Sequence, residues 1–298
     1  LHFLFFIQCP CKTFRMKFPH PHFKGLLMPF LLLLLACTTY AQSPGLIVQP
    51  AGAAGPVVLN PNQDLFTSAT TAGFTTNDIT QSEILYKIIK PIMSEPTGDL
   101  TTGPSGGFSD IVKTVDNSGC YIFNDGTNLL FRLRIGSIVS GAKAYNILID
   151  TDLKLGASGS AADPNYVAPT NSGNGNPGFE LEVALETGTN GRVATYNVDG
   201  IVNPTASNTY SLATNQLISV ALSRESGNAD YFYDFFVPMS ALGITTSTPI
   251  RLVISTNTNP GSAFQGTRSD IYGLDDSQFD NTTDAWEFLG ENTPSCWQ

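Results

Sequence analysis

From Asn128 onward the chain alternates apolar and polar residues with a period of two. In Asn128 to Ile135 (NLLFRLRI), Phe131, Leu133 and Ile135 fall on one face and Arg132 and Arg134 on the other; Ala144 to Asp150 repeats the pattern with Tyr145, Ile147 and Ile149. Successive side chains of a strand point to opposite faces, so both segments are predicted as half-buried strands. Phe179 to Thr187 (FELEVALET) sets Phe179, Leu181, Val183 and Leu185 against Glu180, Glu182 and Glu186. A helix would tolerate these residue types, but strict alternation favours a strand with a solvated acidic face. Further strands are predicted at Val112 to Val115, Cys120 to Asn124, Arg192 to Val198, Leu217 to Arg224, Tyr231 to Val237 and Pro249 to Thr256. Turn residues such as Asp125-Gly126 and Gly227-Asn228 divide them.

Ser82 to Ile92 is ambiguous between strand and helix, and Gly98 to Gly107 reads as a loop. In PMSALGI, Pro238 at a first helical position and Gly243 just past the end mark one short helical turn, and no long helix is predicted. Gly156 to Gly178 (GASGSAADPNYVAPTNSGNGNPG) is small, polar and turn-rich, a surface loop of a length that is either functional or disordered. The prediction is an all-β chain: an antiparallel β-sandwich, jelly-roll or immunoglobulin-like.

The first residues do not read as part of that domain. Leu1 to Ala41 has no acidic residue and carries the run Phe30 to Ala36 after Lys17 and Lys24, the order of a secretory signal peptide. Translation is expected to start at Met16, with Leu1 to Arg15 a mispredicted upstream stretch, and cleavage is expected after Ala41. A rival reading takes Leu34-Leu35-Ala36-Cys37 as a lipobox that anchors a lipoprotein at Cys37. The apolar run is short for a membrane span, which needs about 20 residues, and no other candidate follows. The expected organisation is therefore a leader (1–41), an extended Pro/Gly/Ala-rich lead-in (42–80), the sandwich (81–280), and a tail (281–298) that can be the start of a truncated following region. A secreted or outer-surface location follows.

Without the leader, 11 basic residues remain against 25 acidic, a net charge of −14, which argues against nucleic acid as a partner. All three histidines (His2, His20, His22) leave with it. Ser-His-Asp and Cys-His catalysis and His-ligated zinc or iron sites are thereby excluded from the mature chain. Two cysteines stay, Cys120 and Cys296, either a disulfide in an oxidising compartment or two unpaired thiols.

The alternating run ending in NILIDTDLKLG places Asp150 and Asp152 on one strand face, about 6–7 Å apart. They are strand-end caps that bond loop amides, or the beginning of a calcium site completed by Asp163 and Glu180. Lys154 at the fifth position and the lack of a glutamate at the twelfth exclude an EF-hand. Tyr166, Tyr196, Tyr210 and Tyr272 are the aromatics best placed for exposure and for stacking on a sugar or a protein partner; the alternative for each is a single packed or surface tyrosine. A glycosidase needs two carboxylates across a cleft, and nothing flanks Glu180, Glu182 and Glu186 with such a lining, so no enzyme is expected.

Taken in order, FRLRI, YNILIDTD, the Gly/Pro/Asn loop, NPGFELEVALETG, VATYNVDG, YFYDFFVPMSALGI, PIRLVISTNTN and SDIYGLDD resemble the β-sandwich of family 9 carbohydrate-binding modules and DOMON-type domains of secreted Bacteroidetes surface proteins, over Asp110 to Asp276. The resemblance implies an extracellular scaffold without naming a ligand. Trp286 and Trp297 lie beyond the resembling region, and the axial His of haem-binding relatives has no counterpart, Met93 and Met239 being the methionines available. Neither haem nor a nucleotide is expected. The expectation is an exported, non-catalytic surface or adhesion module, with or without a structural calcium, whose partner is an extracellular glycan or surface protein; the alternative is a glycan-binding module of a secreted carbohydrate-active protein.

Overall fold

The computed structural model describes residues 86–296 except 97–98, 101–102, 104–105, 114–116 and 221–229. The leader, the whole lead-in and the Gly227-Asn228 turn lie outside the described residues. Among the described residues, eleven strands form two antiparallel sheets. One sheet runs β1 (Lys87–Ile88), β2 (Cys120–Asn124), β3 (Asn128–Ile135), β9 (Tyr231–Pro238), β8 (Gln216–Val220) in spatial order. The other runs β11 (Arg268–Ile271), β10 (Arg251–Asn257), β4 (Ala144–Asp150), β5 (Leu181–Glu186), β6 (Arg192–Asn197), β7 (Asn208–Ser211). The chain crosses between sheets after β3, through the single helical turn α1 (Leu212–Asn215) after β7, and again after β9. The all-β sandwich is as expected; the sheets do not close into a barrel.

Alternation places the first core between the sheets. Phe131, Leu133 and Ile135 of β3 and Tyr233, Phe235 and Val237 of β9 meet Tyr145, Ile147 and Ile149 of β4, with Leu252 and Ile254 of β10 beside them. Tyr145 and Tyr233 bridge the two sheets at 4.9 Å between ring centroids. The expected turn after β9 is a 3-10 turn, Met239–Ala241, with Gly243 at φ 67°.

The polar faces differ from expectation. Arg132 and Arg134 are fully buried instead of solvated, and each has a carboxylate on β9 or at its start. Arg132 grips Asp234 with Nε and Nη2 at 2.7 and 2.8 Å, in register across β3 and β9, and Arg134 reaches Asp230 at 3.1 and 3.2 Å. Phe232 lies under the Arg132 guanidinium, 4.1 Å from ring centre to carbon.

The second correction concerns the outer face of the six-stranded sheet. The segment expected as a tail contributes an 11-residue helix, α2 (Thr282–Asn292), with Asn281 as its N-cap. Its Trp286 and Leu289 join Leu148, Ala184, Ala194, Val253 and Phe264 in a second core. Glu182 and Glu186, expected in solvent, are buried under this layer, and Phe179 belongs to it because β5 begins only at Leu181. Helix α2 eluded the period-two reading because its apolar positions, Ala285, Trp286 and Leu289, follow the three-to-four spacing of a helix over one short stretch.

Candidate functional site

Asp150 ends β4 directly opposite Arg251 of β10, whose Nε donates to Asp150 Oδ2 at 2.5 Å. The other oxygen, Oδ1, accepts the backbone N–H groups of Asp152 (3.1 Å) and Leu153 (2.7 Å), which holds the chain in a tight reversal with Leu153 at φ 64°. Asp152 accepts from its neighbour twice, from the Lys154 amide at 2.9 Å and from Nζ at 2.8 Å, on the exposed surface. Glu180 Oε2 accepts from the Thr151 amide and hydroxyl at 2.6 and 3.0 Å. One oxygen each from Asp150, Asp152 and Glu180 lies within 4.8 Å of the other two, so three of the four residues proposed for a cation do converge. Asp163 is not among them; its Oδ1 accepts the Asn165 amide within its own loop. Burial raises the Asp150 carboxyl and pushes Glu180 up to about 7, with the charges of Asp150 and Asp152 adding to burial at Glu180. Arg251 and Lys154 already supply positive charge here, and most of these oxygens already hold N–H or O–H groups. The strand-end cap is the arrangement in place, and a cation would compete with Lys154 for Asp152.

Farther along β5, Glu182 is buried and accepts from Asn146 Nδ2 (2.7 Å), Ser262 Oγ (2.5 Å) and the Ala263 amide (2.7 Å). Burial pushes its carboxyl up to about 7 in spite of those three bonds. Glu182 thus ties the 261–266 loop to the sheet, and Asn146 helps by donating to Gly261 O at 3.0 Å. Glu186 pairs with Arg192 at 3.0 Å and accepts the Tyr196 hydroxyl.

The four tyrosines do not share a surface. Tyr196 and Tyr272, expected to be exposed, are buried at 3% and 4%. Tyr196 faces outward from β6, but the α2 layer covers it; Tyr272 follows β11, where its hydroxyl donates to Ile89 O (3.2 Å) and accepts the Gly119 amide (3.0 Å). Tyr210 is half-buried on β7 against the first core, and Tyr166 is half-buried on the β4–β5 loop near the charges of Glu287 and Asp284. Cys120 and Cys296 are both free thiols, and Cys296 packs against the same core that contains Cys120.

What the sequence reading missed is a groove of about 470 Å³ on the outer side of the six-stranded sheet. Its walls are the tip of the long β4–β5 loop (169–174), the β10–β11 loop (264–268) and the approach to α2 (279–282). Asn171, Asn174, Gln265, Arg268 and Asn281 line it together with the half-buried Phe279. The loop is folded, not loose. Val167 pairs with Asn176, and Asn176 Nδ2 donates to the carbonyls of Phe179 and Val198 while its Oδ1 accepts the Gly178 and Phe179 amides. Thr283 Oγ1 of α2 accepts the Gly175 amide at 2.8 Å, and Asn174 Nδ2 reaches Ala263 O at 3.2 Å. Gly175 is required where it stands, because a Cβ there would lie 2.2 Å from the Val167 carbonyl oxygen. Only the first wall carried a sequence signal, the length and Asn/Gly content of the loop; residues 264–268 follow the expected Asn257–Gly261 turn, and 279–282 straddle the expected boundary between sandwich and tail.

No protein-family model and no curated protein matches this chain.

Proposed function

We propose that the chain is an exported, non-catalytic recognition module that holds a neutral glycan in this groove. The observation that carries the reading is the lining itself. Amide side chains and hydroxyls from three loops, which can donate and accept at once, surround one half-buried ring, Phe279, and a single cation, Arg268, whose Nη1 donates to Thr282 Oγ1 at 2.9 Å. Sugar hydroxyls offer the matching donors and acceptors, and a few convergent polar groups around an aromatic surface are what fix such a ligand. Asp280 is the only carboxylate among the lining residues, whereas glycoside hydrolysis needs a pair. The resemblance to family 9 modules points the same way, although the stacking ring here is a phenylalanine, since Trp286 is buried edge-on against Phe264. The signal-peptide reading of 1–41 supports export, and among the described residues no helix is long and apolar enough to cross a membrane.

A glycan array followed by calorimetric titration of the best neutral hit tests the reading. Asn171 and Gln265 are exposed, and among the described residues no side-chain hydrogen bond holds either, so N171A and Q265A are expected to leave the fold intact. Each is expected to weaken binding roughly fivefold, the worth of one neutral hydrogen bond of about 1 kcal/mol. A panel without any neutral glycan bound, or binding that the double variant leaves unchanged, would overturn it. A surface-adhesion role through a protein partner is the second reading, favoured by the first of those outcomes.

A further inference from the structure

A second acidic cluster lies at the β11 edge of the six-stranded sheet. Glu95 and Asp99 sit in the connection from β1 to β2, and Asp270 sits on the edge strand β11. One carboxylate oxygen of each lies within 4.8 Å of the other two. Glu95 is 1% exposed and Asp270 is 1% exposed, so this cluster is far drier than the one at Asp150. Its hydrogen bonds account for only part of Glu95. Oε2 accepts the Gly273 amide, whereas Oε1 is buried and has no hydrogen-bond partner among the described residues. Burial and the charges of Asp270, Asp99 and Asp110 all oppose ionisation of this carboxyl, and the Gly273 amide alone favours it. The nearby Lys113 ammonium donates to the Glu95 backbone carbonyl and to Ser94 Oγ, away from the carboxylate.

We propose that Glu95, Asp99 and Asp270 bind a divalent cation of the calcium class, which locks the β1–β2 connection onto strand β11. Two oxygens each about 2.4 Å from one calcium ion are at most about 4.8 Å apart, so the spacing of these three admits a shared ion. The donors are all hard oxygens, the preference of calcium, and several carboxylates gathered in one dry place are the charge count that raises its affinity. A buried carboxylate oxygen with no donor is costly unless a positive charge meets it, and a cation supplies that charge to all three acids at once. The backbone is already shaped to carry the site. Asp270 Oδ2 accepts the Ile111 amide at 2.6 Å, Asn117 Oδ1 accepts the Glu95 amide at 3.1 Å, and Ser109 Oγ meets Ser269 Oγ at 2.9 Å. The ion therefore has a structural role, and none of its three ligands lines the groove.

Calorimetric melting of the full chain, stripped with EGTA and then scanned in EGTA or in CaCl2 at matched ionic strength, tests the site. With calcium about a hundredfold above its Kd, the melting temperature is expected to rise by roughly 5–10 °C. E95Q is expected to lose that rise yet melt in EGTA at or above the wild type, because it removes one like charge and keeps an acceptor for the Gly273 amide. D152N, at the other acidic cluster, is expected to keep the full rise. Asp99 is only half-buried, so D99N repeats the test should E95Q fail to fold, and titration of the wild type with CaCl2 is expected to saturate at one ion per chain. No calcium-dependent rise in the wild type, a rise that E95Q and D99N retain, or a rise that D152N abolishes would each overturn the proposal.

Discussion

Asp234→Ala removes one half of an ion pair that solvent does not reach. Both side chains of the Arg132–Asp234 pair are 0% exposed, and two parallel N–H···O bonds of 2.7 and 2.8 Å join them in the middle of β3 and β9. The variant deletes both bonds and leaves a guanidinium among Phe232, Tyr86 and the backbone of the sheet. Breaking a buried pair in this way costs about 3–5 kcal/mol, most of it the desolvation of the charge left behind. For a domain of this size each kcal/mol lowers the midpoint by about 2–4 °C, so scanning calorimetry is expected to show a fall of roughly 6–20 °C. Replacing both partners together, R132M with D234V, removes the charge along with its counter-charge and is expected to recover most of the loss, since apolar replacements of buried pairs are often neutral. A loss below about 1 kcal/mol for Asp234→Ala would place the pair in solvent-like surroundings and refute the reasoning.

Glu182 links stability to pH. Its carboxyl is raised in the folded chain from an ordinary 4.5 to about 7. The folded state then keeps a proton that the unfolded state releases, and stability falls as pH rises from about 4.5 to about 7 and levels off above. The shift corresponds to about 3 kcal/mol for this fully buried group, and E182Q is expected to flatten that part of the curve of melting temperature against pH; an unchanged slope would reject the assignment. Trp286→Ala empties the middle of the outer core and is expected to cost about 3–5 kcal/mol in urea unfolding, with weaker glycan binding because residues 279–282 wall the groove; a cost under about 1 kcal/mol would show that α2 is not docked there. Burial raises the thiols of Cys120 and Cys296, so in native protein comprising residues 42–298 Cys120 is expected to resist a thiol reagent, with two thiols titrating after denaturation; no labelled thiol after denaturation would reveal a bond between them.

The framework strands were legible because a period of two survives burial. Phe131 and Ile147 announce their inward face whatever covers the opposite one. The chemistry of that opposite face was not legible, since the alternation that puts Arg132 and Glu182 outward from the first core does not say whether water or a further layer lies beyond them. Only the pairing of β3 with β9, distant in sequence, brings Asp234 to Arg132, and only the 261–266 loop closes over Glu182. The capping role of Asp150 was legible, because an aspartate bonding amides two and three residues ahead is a local event, but β4 ends at Asp150, so Asp152 lies in the turn and not on the strand face expected for it. Arg251, the partner that changes its charge balance, is reachable only through strand order. The groove and the Glu95 cluster were invisible for the same reason, each being assembled from segments far apart along the chain.

The outer core also sets an order on biosynthesis. β4, β5 and β6 emerge from the ribosome well before α2, so Leu148, Ala184, Ala194 and Val253 face water until residues 282–292 have been made. During that interval the nascent chain displays an apolar sheet face of the kind that chaperones hold and that neighbouring nascent chains can pair with. Docking of Trp286 is the event that ends the exposure, and it also brings the third wall of the groove into place, so completion of the groove and escape from aggregation are one and the same step.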